Sequence, residues 1–365
     1  MTNDIPWATP SIWGNEEKYV VDALRSTWIS GGEYVDRFER EFSRFCGSPH
    51  VLAVANGTAA LHLVYLALGI GPGDEIIVPG FAFMAAANMA RMVGATPVFA
   101  DVDRDSWCVT ADSIAACVTP KTRAIVPVHT YGNVCDMDAI NTMAVEKGLI
   151  VIEDAAEAIG SSYKGRAVGS LSSIGVFSFH ATKTITTGEG GAVTTNDPAL
   201  ADRMRLFRSH GMARKRYWHE VAGHNFRLTN LQAAIGCAQL EQIERIVAKR
   251  EHIYDLYSRL LRRSRGLVTQ VVLSAVSPVM WAIAVTLDAA AYPQGRDQVM
   301  EDMLSLGIET RPGFYPASAM HHLYGPQELP VSDGLGASIL VLPSSPSLDD
   351  DSVVRVCDAL IGLAR

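Results

Sequence analysis

SIGVFSFHATKTITTGEGGAVTT, residues 173–195, decides the fold because it sets one lysine, Lys183, between two strand-like runs. Residues 176–179 alternate as a strand ending near Lys183, and residues 191–195 leave as another. Gly188, Gly190 and Gly191 allow a tight return between them. Small, hydroxyl-bearing and apolar residues surround Lys183, and no formal charge lies nearer than Glu189. A poorly solvated ammonium loses its proton readily, and the free amine can condense with an aldehyde to form a Schiff base. A solvated loop lysine is the commoner use of this residue, so the reading depends on its company.

Working outward, residues 149–160 read LIVIEDAAEAIG. The apolar start, 149–152, is a buried parallel strand that delivers Glu153 and Asp154 to its carboxyl end, where α/β folds bind ligands. A carboxylate there can keep a pyridine nitrogen protonated. A Schiff-base lysine with a pyridinium-facing aspartate is the minimal signature of pyridoxal 5'-phosphate. Asp154 could equally cap a helix over residues 155–159; Lys183 tips the balance to the ligand role. On such a helix Glu157 lies one turn beyond Asp154, on the same face.

Residues 51–55 form a strand, Gly57 a turn, and residues 58–68 a buried helix. Strand, glycine and hydroxyl residue opening a helix make an anion site, which nominates Gly57 and Thr58 as phosphate ligands. Residues 75–79 form another strand, with Phe81 and Phe83 past its end. A flat aromatic over a pyridine ring adds roughly 0.5–1.5 kcal/mol beyond burial. Farther on, short apolar runs at 96–100, 124–128 and 149–152 alternate with helical stretches such as 137–147. This is the rhythm of a largely parallel sheet covered on both faces. Asp101, Asp103 and Asp105 lack the glycine and bidentate glutamate of a calcium loop.

The motifs EDAAEAIG, FSFHATKTITTGEGG, ANGTAALHL, GDEIIVPGFAF, GHNFRLTNLQAAIG and IETRPGFYP together resemble the sugar aminotransferases of the DegT/DnrJ/EryC1/StrS family over almost the whole chain. The resemblance implies an α/β protein of the aspartate aminotransferase (type I PLP) fold. Its large domain, 1–249, would carry a mostly parallel sheet, and a smaller C-terminal α+β domain, 250–365, would close on it. By resemblance Lys183 carries the cofactor, Asp154 faces its ring nitrogen, Phe83 stacks, Glu157 lies near the ring hydroxyl, and Ser178 joins Gly57 and Thr58 on the phosphate. Asn225 would reach the phosphate of a neighbouring subunit, with Arg227 a weaker partner, so that a homodimer shares its active sites.

For the substrate, the resemblance points to Trp28, Ile29, Ser30 and Gly31, before and within a Gly31-Gly32 pair expected to turn the chain, and to Arg311 and Tyr315 in a closing loop. Relatives commonly carry histidine where Ser318 stands. STWISGGEYVDRFE, RKRYWHEVAGHNFRLTN and ETRPGFYP resemble members that aminate C4 of GDP-4-keto-6-deoxymannose, with glutamate as amino donor. A different nucleotide-linked 3-keto or 4-keto sugar stays open, as do a dehydratase of the same fold and a regulator. The dehydratases replace the lysine with histidine, and a regulator would want a DNA-binding appendage. Basic side chains should meet the nucleotide diphosphate, with Arg311 and residues 214–217 as candidates.

Composition agrees with a large soluble enzyme. The 365 residues are 48% hydrophobic with a formal net charge of -8, which supplies a core and leaves no basic footprint for nucleic acid. Six scattered cysteines show no metal spacing and read as reduced packing residues. No basic stretch followed by an apolar one opens the sequence, so the expected location is the cytoplasm. His321 and His322 lack partners at metal-ligand spacing.

Overall fold

The computed structural model describes residues 4–213, 215–262 and 264–365. Its strands are β1 (His50–Val54), β2 (Glu75–Pro79), β3 (Thr96–Ala100), β4 (Thr122–Ile125), β5 (Ile150–Asp154), the short β6 (Ser162–Tyr163) and β7 (Arg166–Ala167), β8 (Ile174–Ser178), β9 (Gly191–Thr195), β10 (Leu267–Thr269), β11 (Val276–Ser277), β12 (Ile283–Leu287), β13 (Arg311–Pro312) and β14 (Ile339–Leu342). The helices are α1 (Glu16–Arg25), α2 (Glu33–Cys46), α3 (Gly57–Leu68), α4 (Ala85–Met92), α5 (Ala111–Ala115), α6 (Met137–Lys147), α7 (Pro198–Arg208), α8 (Asn230–Glu241), α9 (Ile243–Leu261), α10 (Gly295–Ser305), α11 (His321–Tyr324), α12 (Pro330–Ser338) and α13 (Asp350–Gly362).

Seven strands form the main sheet in the order β1-β9-β8-β5-β4-β2-β3. The pairs from β8 through β3 are parallel, whereas β9 runs antiparallel to both β8 and β1. One reversed strand follows from the Gly188 return: the chain goes straight back along β8 instead of crossing over a helix. Side chains alternate across this sheet. Val151 and Phe177 join Phe38, Phe42 and Ile140 on one face, while Ile152 and Val176 join Leu61, Val64 and Met204 on the other.

A third core gathers Leu256, Tyr257, Ile283, Val285, Val353 and Val356 around the four-stranded sheet β10-β12-β14-β13. Its neighbouring strands are antiparallel, in keeping with an α+β unit. Residue 249 falls inside α9, which is continuous: Ile246 belongs to the first core, Ile253 to the third. Ile5 bridges to Ile308 and is likewise packed in the third core.

One local expectation fails. No helix forms over residues 155–159. Ala155 N donates to Val176 O at 2.9 Å, prolonging the strand, and turns follow through Ala158 N to Ala155 O and Ser161 N to Ala158 O. The Gly31-Gly32 pair bends the chain into α2 as expected, with Gly32 itself extended. Glycine is required at 32 for space, since a Cβ there would lie 2.7 Å from the Asn230 side chain.

Candidate active site

The carboxyl ends of β1, β2, β5 and β8 open on one edge of the sheet, where ligands of open α/β folds bind. Strand alternation sends the two adjacent acids of β5 to opposite faces. Glu153 is fully buried and serves the fold: it accepts from Gly169 N at 2.5 Å, Leu171 N at 3.0 Å and His129 Nε2 at 3.0 Å. Cys135 N donates to His129 Nδ1 at 3.3 Å, which assigns the proton to Nε2.

Asp154, at the strand's end, is 6% exposed and accepts from Ala156 N at 3.0 Å through Oδ1. Burial pushes its carboxyl up to about 6, with the nearby Glu157 adding to the rise against the opposing pull of Lys183 and His129. Such a group is an anion in want of a cation.

Lys183 meets Glu157 at 3.6 Å, Nζ to Oε1. Desolvation lowers the lysine's pKa, partly opposed by Glu157 and Asp154; desolvation also raises that of Glu157. Tyr131 N donates to Glu157 Oε2 at 2.8 Å. Thus Glu157 reaches the lysine from a turn rather than from the expected helix.

Gly57 begins α3, and its neighbour Asn56 caps the helix by accepting from Ala59 N at 2.8 Å. Gly57 and Thr58 keep first-turn amides without intrahelical acceptors. A Cβ at Gly57 would come within 3.0 Å of Ser178 Cβ. That close approach sets the hydroxyl of Ser178, at the end of β8, beside the open end of the helix. Two first-turn amides and this hydroxyl thus meet at the positive end of the helix dipole, a chemistry suited to an anion.

The remaining expected residues lie toward the surface. Phe83 is 65% exposed and touches Phe314 at 6.3 Å between centroids. Trp28 is 71% exposed, and Ile29, Ser30 and Gly31 are exposed beside it. Tyr315 is exposed, and Arg311 pairs with Glu309 at 2.6 Å while lying over Trp7. Asn225 is exposed and accepts from Arg227 Nε at 3.1 Å. Its segment pairs with the outer side of β1, through the Val54–Arg227 bridge and Ala55 N to Phe226 O at 2.8 Å. Strands β1 and β9 therefore separate it from Ser178 within the chain. Ser318 is buried and donates to Asp333. Arg214 lies outside the described residues; Lys215, Arg216 and Tyr217 are exposed.

Three side chains that the motifs did not flag complete the site. Asn230, 2% exposed, donates to Trp28 O at 2.7 Å and accepts from Tyr34 N at 3.0 Å, which fixes the Trp28 loop. Tyr131 adopts φ 60° and stacks on Phe314 at 5.0 Å, tying the closing loop to the large sheet. Trp281 lies under Lys183, its ring centroid 3.5 Å from Nζ. These contacts are between segments remote in sequence. Only Asn230 stood in a quoted motif; it opens α8, which Thr229 caps with Gln232 completing a capping box.

Among the described residues no helix is long and apolar enough to cross a membrane. Residues 10–361 match the DegT/DnrJ/EryC1/StrS aminotransferase family. The chain is 44% identical to the GDP-perosamine synthase of Caulobacter vibrioides, with 97% of this chain and 96% of that protein covered. It is 41% identical to the GDP-perosamine synthase of Escherichia coli O157:H7, covering 98% and 97%. Among solved structures it is similar to the PLP form of the putative sugar aminotransferase Spr1654 from Streptococcus pneumoniae, with a TM-score of 0.94, 26% identity and coverage of 99% and 98%.

Proposed function

Because the chain belongs to the DegT/DnrJ/EryC1/StrS aminotransferase family, we propose that it is a pyridoxal-phosphate-dependent enzyme that aminates C4 of GDP-4-keto-6-deoxymannose, giving GDP-perosamine with glutamate as donor. The observation that carries this reading is the placement of Lys183 Nζ 3.6 Å from Glu157 on the edge that also holds Asp154. The two full-length relatives named GDP-perosamine synthase support the choice of sugar.

The residues present fit pyridoxal 5'-phosphate. Asp154 supplies a buried carboxylate for a protonated ring nitrogen. Gly57, Thr58 and Ser178 offer the phosphate two amides and a hydroxyl, and Phe83 offers an open aromatic face. When bound, the group supplies an electron sink for the charge left by proton removal next to the amino nitrogen. Lys183 is the proton carrier: burial keeps its amine able to accept a proton, and Glu157 makes the ammonium form accessible before the proton is returned.

The Trp28 loop, Arg311 and Tyr315 would receive the nucleotide sugar. Arg311 can bind a diphosphate only by exchanging its pairing with Glu309, an exchange of low cost at a half-exposed site. Asn225, on the outer side of β1, would hold the phosphate of a partner subunit in a homodimer. Two chains then complete each site.

The test is to incubate the enzyme with glutamate and a panel of GDP-, UDP- and dTDP-linked 4-keto and 3-keto 6-deoxy sugars, following 2-oxoglutarate. GDP-4-keto-6-deoxymannose should be preferred by at least about tenfold in kcat/KM, about 1.4 kcal/mol of transition-state discrimination. Preference for a UDP or dTDP sugar would overturn the perosamine reading alone. Inactivity toward every sugar would overturn the substrate class.

A further inference from the structure

Lys183 rests on a ring as well as beside a carboxylate. Trp281 stands just before β12, in the C-terminal part of the chain, and its indole centroid lies 3.5 Å from Lys183 Nζ. The face of an indole attracts a cation through its quadrupole, and tryptophan does so more strongly than phenylalanine or tyrosine. The ring is 9% exposed, so little water competes with it.

The ring is held firmly in this position. Trp281 Nε1 donates to Thr182 O at 2.7 Å, which ties the ring to the residue preceding the lysine. Its backbone N donates to Tyr131 O at 2.9 Å, and its carbonyl accepts from Arg250 Nη1 at 2.9 Å and from Ser344 Oγ at 3.3 Å. Trp7 packs edge-on at 5.9 Å. An aromatic serving only as filler needs none of these bonds to point one face at one amine.

The charged and titratable groups acting on that amine come from several elements. Glu157 and Asp154 favour the ammonium, while the buried Arg250 disfavours it. Glu157 can itself take the proton, and its own protonation removes the charge that attracts the amine. Trp281 cannot: its ring favours the ammonium at every pH and never competes for the proton.

We propose that Trp281 is a positioning and charge-supporting residue for Lys183, holding the amino group over its ring face as an ammonium whenever the amine is not engaged elsewhere. This deepens the transfer reading and rests on it for its catalytic meaning, although the contact exists in the chain alone. A lysine that gains and loses a proton in each turnover needs a resting place for the charged form, and the ring provides one that carries no acid of its own.

The experiment uses cofactor-free full-length protein. The pH dependence of acylation at Lys183, read by peptide mass spectrometry, gives the lysine's pKa in wild type, Trp281→Phe and Trp281→Met. Trp281→Met keeps apolar bulk without the quadrupole and should lower that pKa by about one unit, a tenfold shift in protonation. Trp281→Phe keeps a weaker ring and should fall between the two. A wild-type pKa in both variants, or a raised one in Met, overturns the proposal. If Trp281→Met fails to fold by its thermal transition, Trp281→Phe decides: an unchanged pKa there overturns it, and a lowered one supports it. The readout needs no sugar, so failure of the sugar panel with an intact shift would remove the substrate reading and leave the ring's effect on the amine standing.

Discussion

Lys183 Nζ and Glu157 Oε1 face each other at 3.6 Å in a site where the carboxylate side chain is 3% exposed and the lysine side chain 13%. Burial pushes the lysine down and the glutamate up, so both move toward their neutral forms. The energy separating a proton on nitrogen from one on oxygen is thereby reduced, which suits a lysine that must carry a proton both ways.

The role of that lysine gives the first prediction. Borohydride treatment of the purified, yellow protein should fix the cofactor's mass on the peptide containing Lys183. Lys183→Ala should lose amine transfer by about a thousandfold or more, because the covalent attachment and the proton carrier disappear together. Near-normal turnover in Lys183→Ala would rule the mechanism out.

Asp154 gives a prediction in pH. Burial raises its folded pKa to about 6 from the ordinary value of 3.8. The folded cofactor-free protein therefore binds more protons than the unfolded chain between these values. Stability from this group is fully present below the lower value and is lost as pH rises through the higher one. Asp154→Asn removes that loss, so cofactor-free Asp154→Asn should gain on wild type as pH rises, by about 1 kcal/mol between pH 5 and pH 8. Thermal or urea unfolding measures the gap. A gap that stays constant or narrows with pH would contradict the assigned direction. The same variant should transfer amine far more slowly, since a neutral amide cannot stabilise a ring cation.

The sequence exposed this site unevenly, for physical reasons. Ser178 was nominated by the family resemblance alone, whereas the positions of Lys183, Asp154 and Gly57 were legible because local patterns specify strand ends and a helix start. β2, β3, α6 and β9 fell on the expected residues for the same reason. The stretch after Asp154 misled because alanine and glutamate favour helix locally, whereas Ala155 is drawn into the ladder with Val176 and Glu157 is taken by Tyr131. Trp281 and Tyr131 carry no local sign of their roles: each reaches the lysine or its partner through contacts set only when distant segments pack. Asn230 had a legible place at the start of α8 but not a legible partner, the Trp28 loop some two hundred residues earlier.

Asn225 supplies the last prediction, which concerns assembly. It is exposed, and its segment lies outside β1, with β9 between that strand and Ser178 on β8. Its exposed side chain is open to contact with a second copy. If Asn225 holds a partner's phosphate, Asn225→Ala should weaken cofactor retention by the loss of one charge-assisted bond, about 1.5–3 kcal/mol. Complementation then separates a shared site from a self-contained one. In a hybrid of Lys183→Ala and Asn225→Ala chains, one site takes both defects and the other takes neither. With equal, freely exchanging chains, half the dimers are hybrids, so activity should recover to about a quarter of wild type at cofactor concentrations that leave Asn225→Ala empty. Were each site built from one chain, every hybrid site would carry one defect and mixing would restore nothing. No recovery, under conditions where labelled subunits demonstrably exchange, would therefore assign Asn225 to its own chain's site or to none.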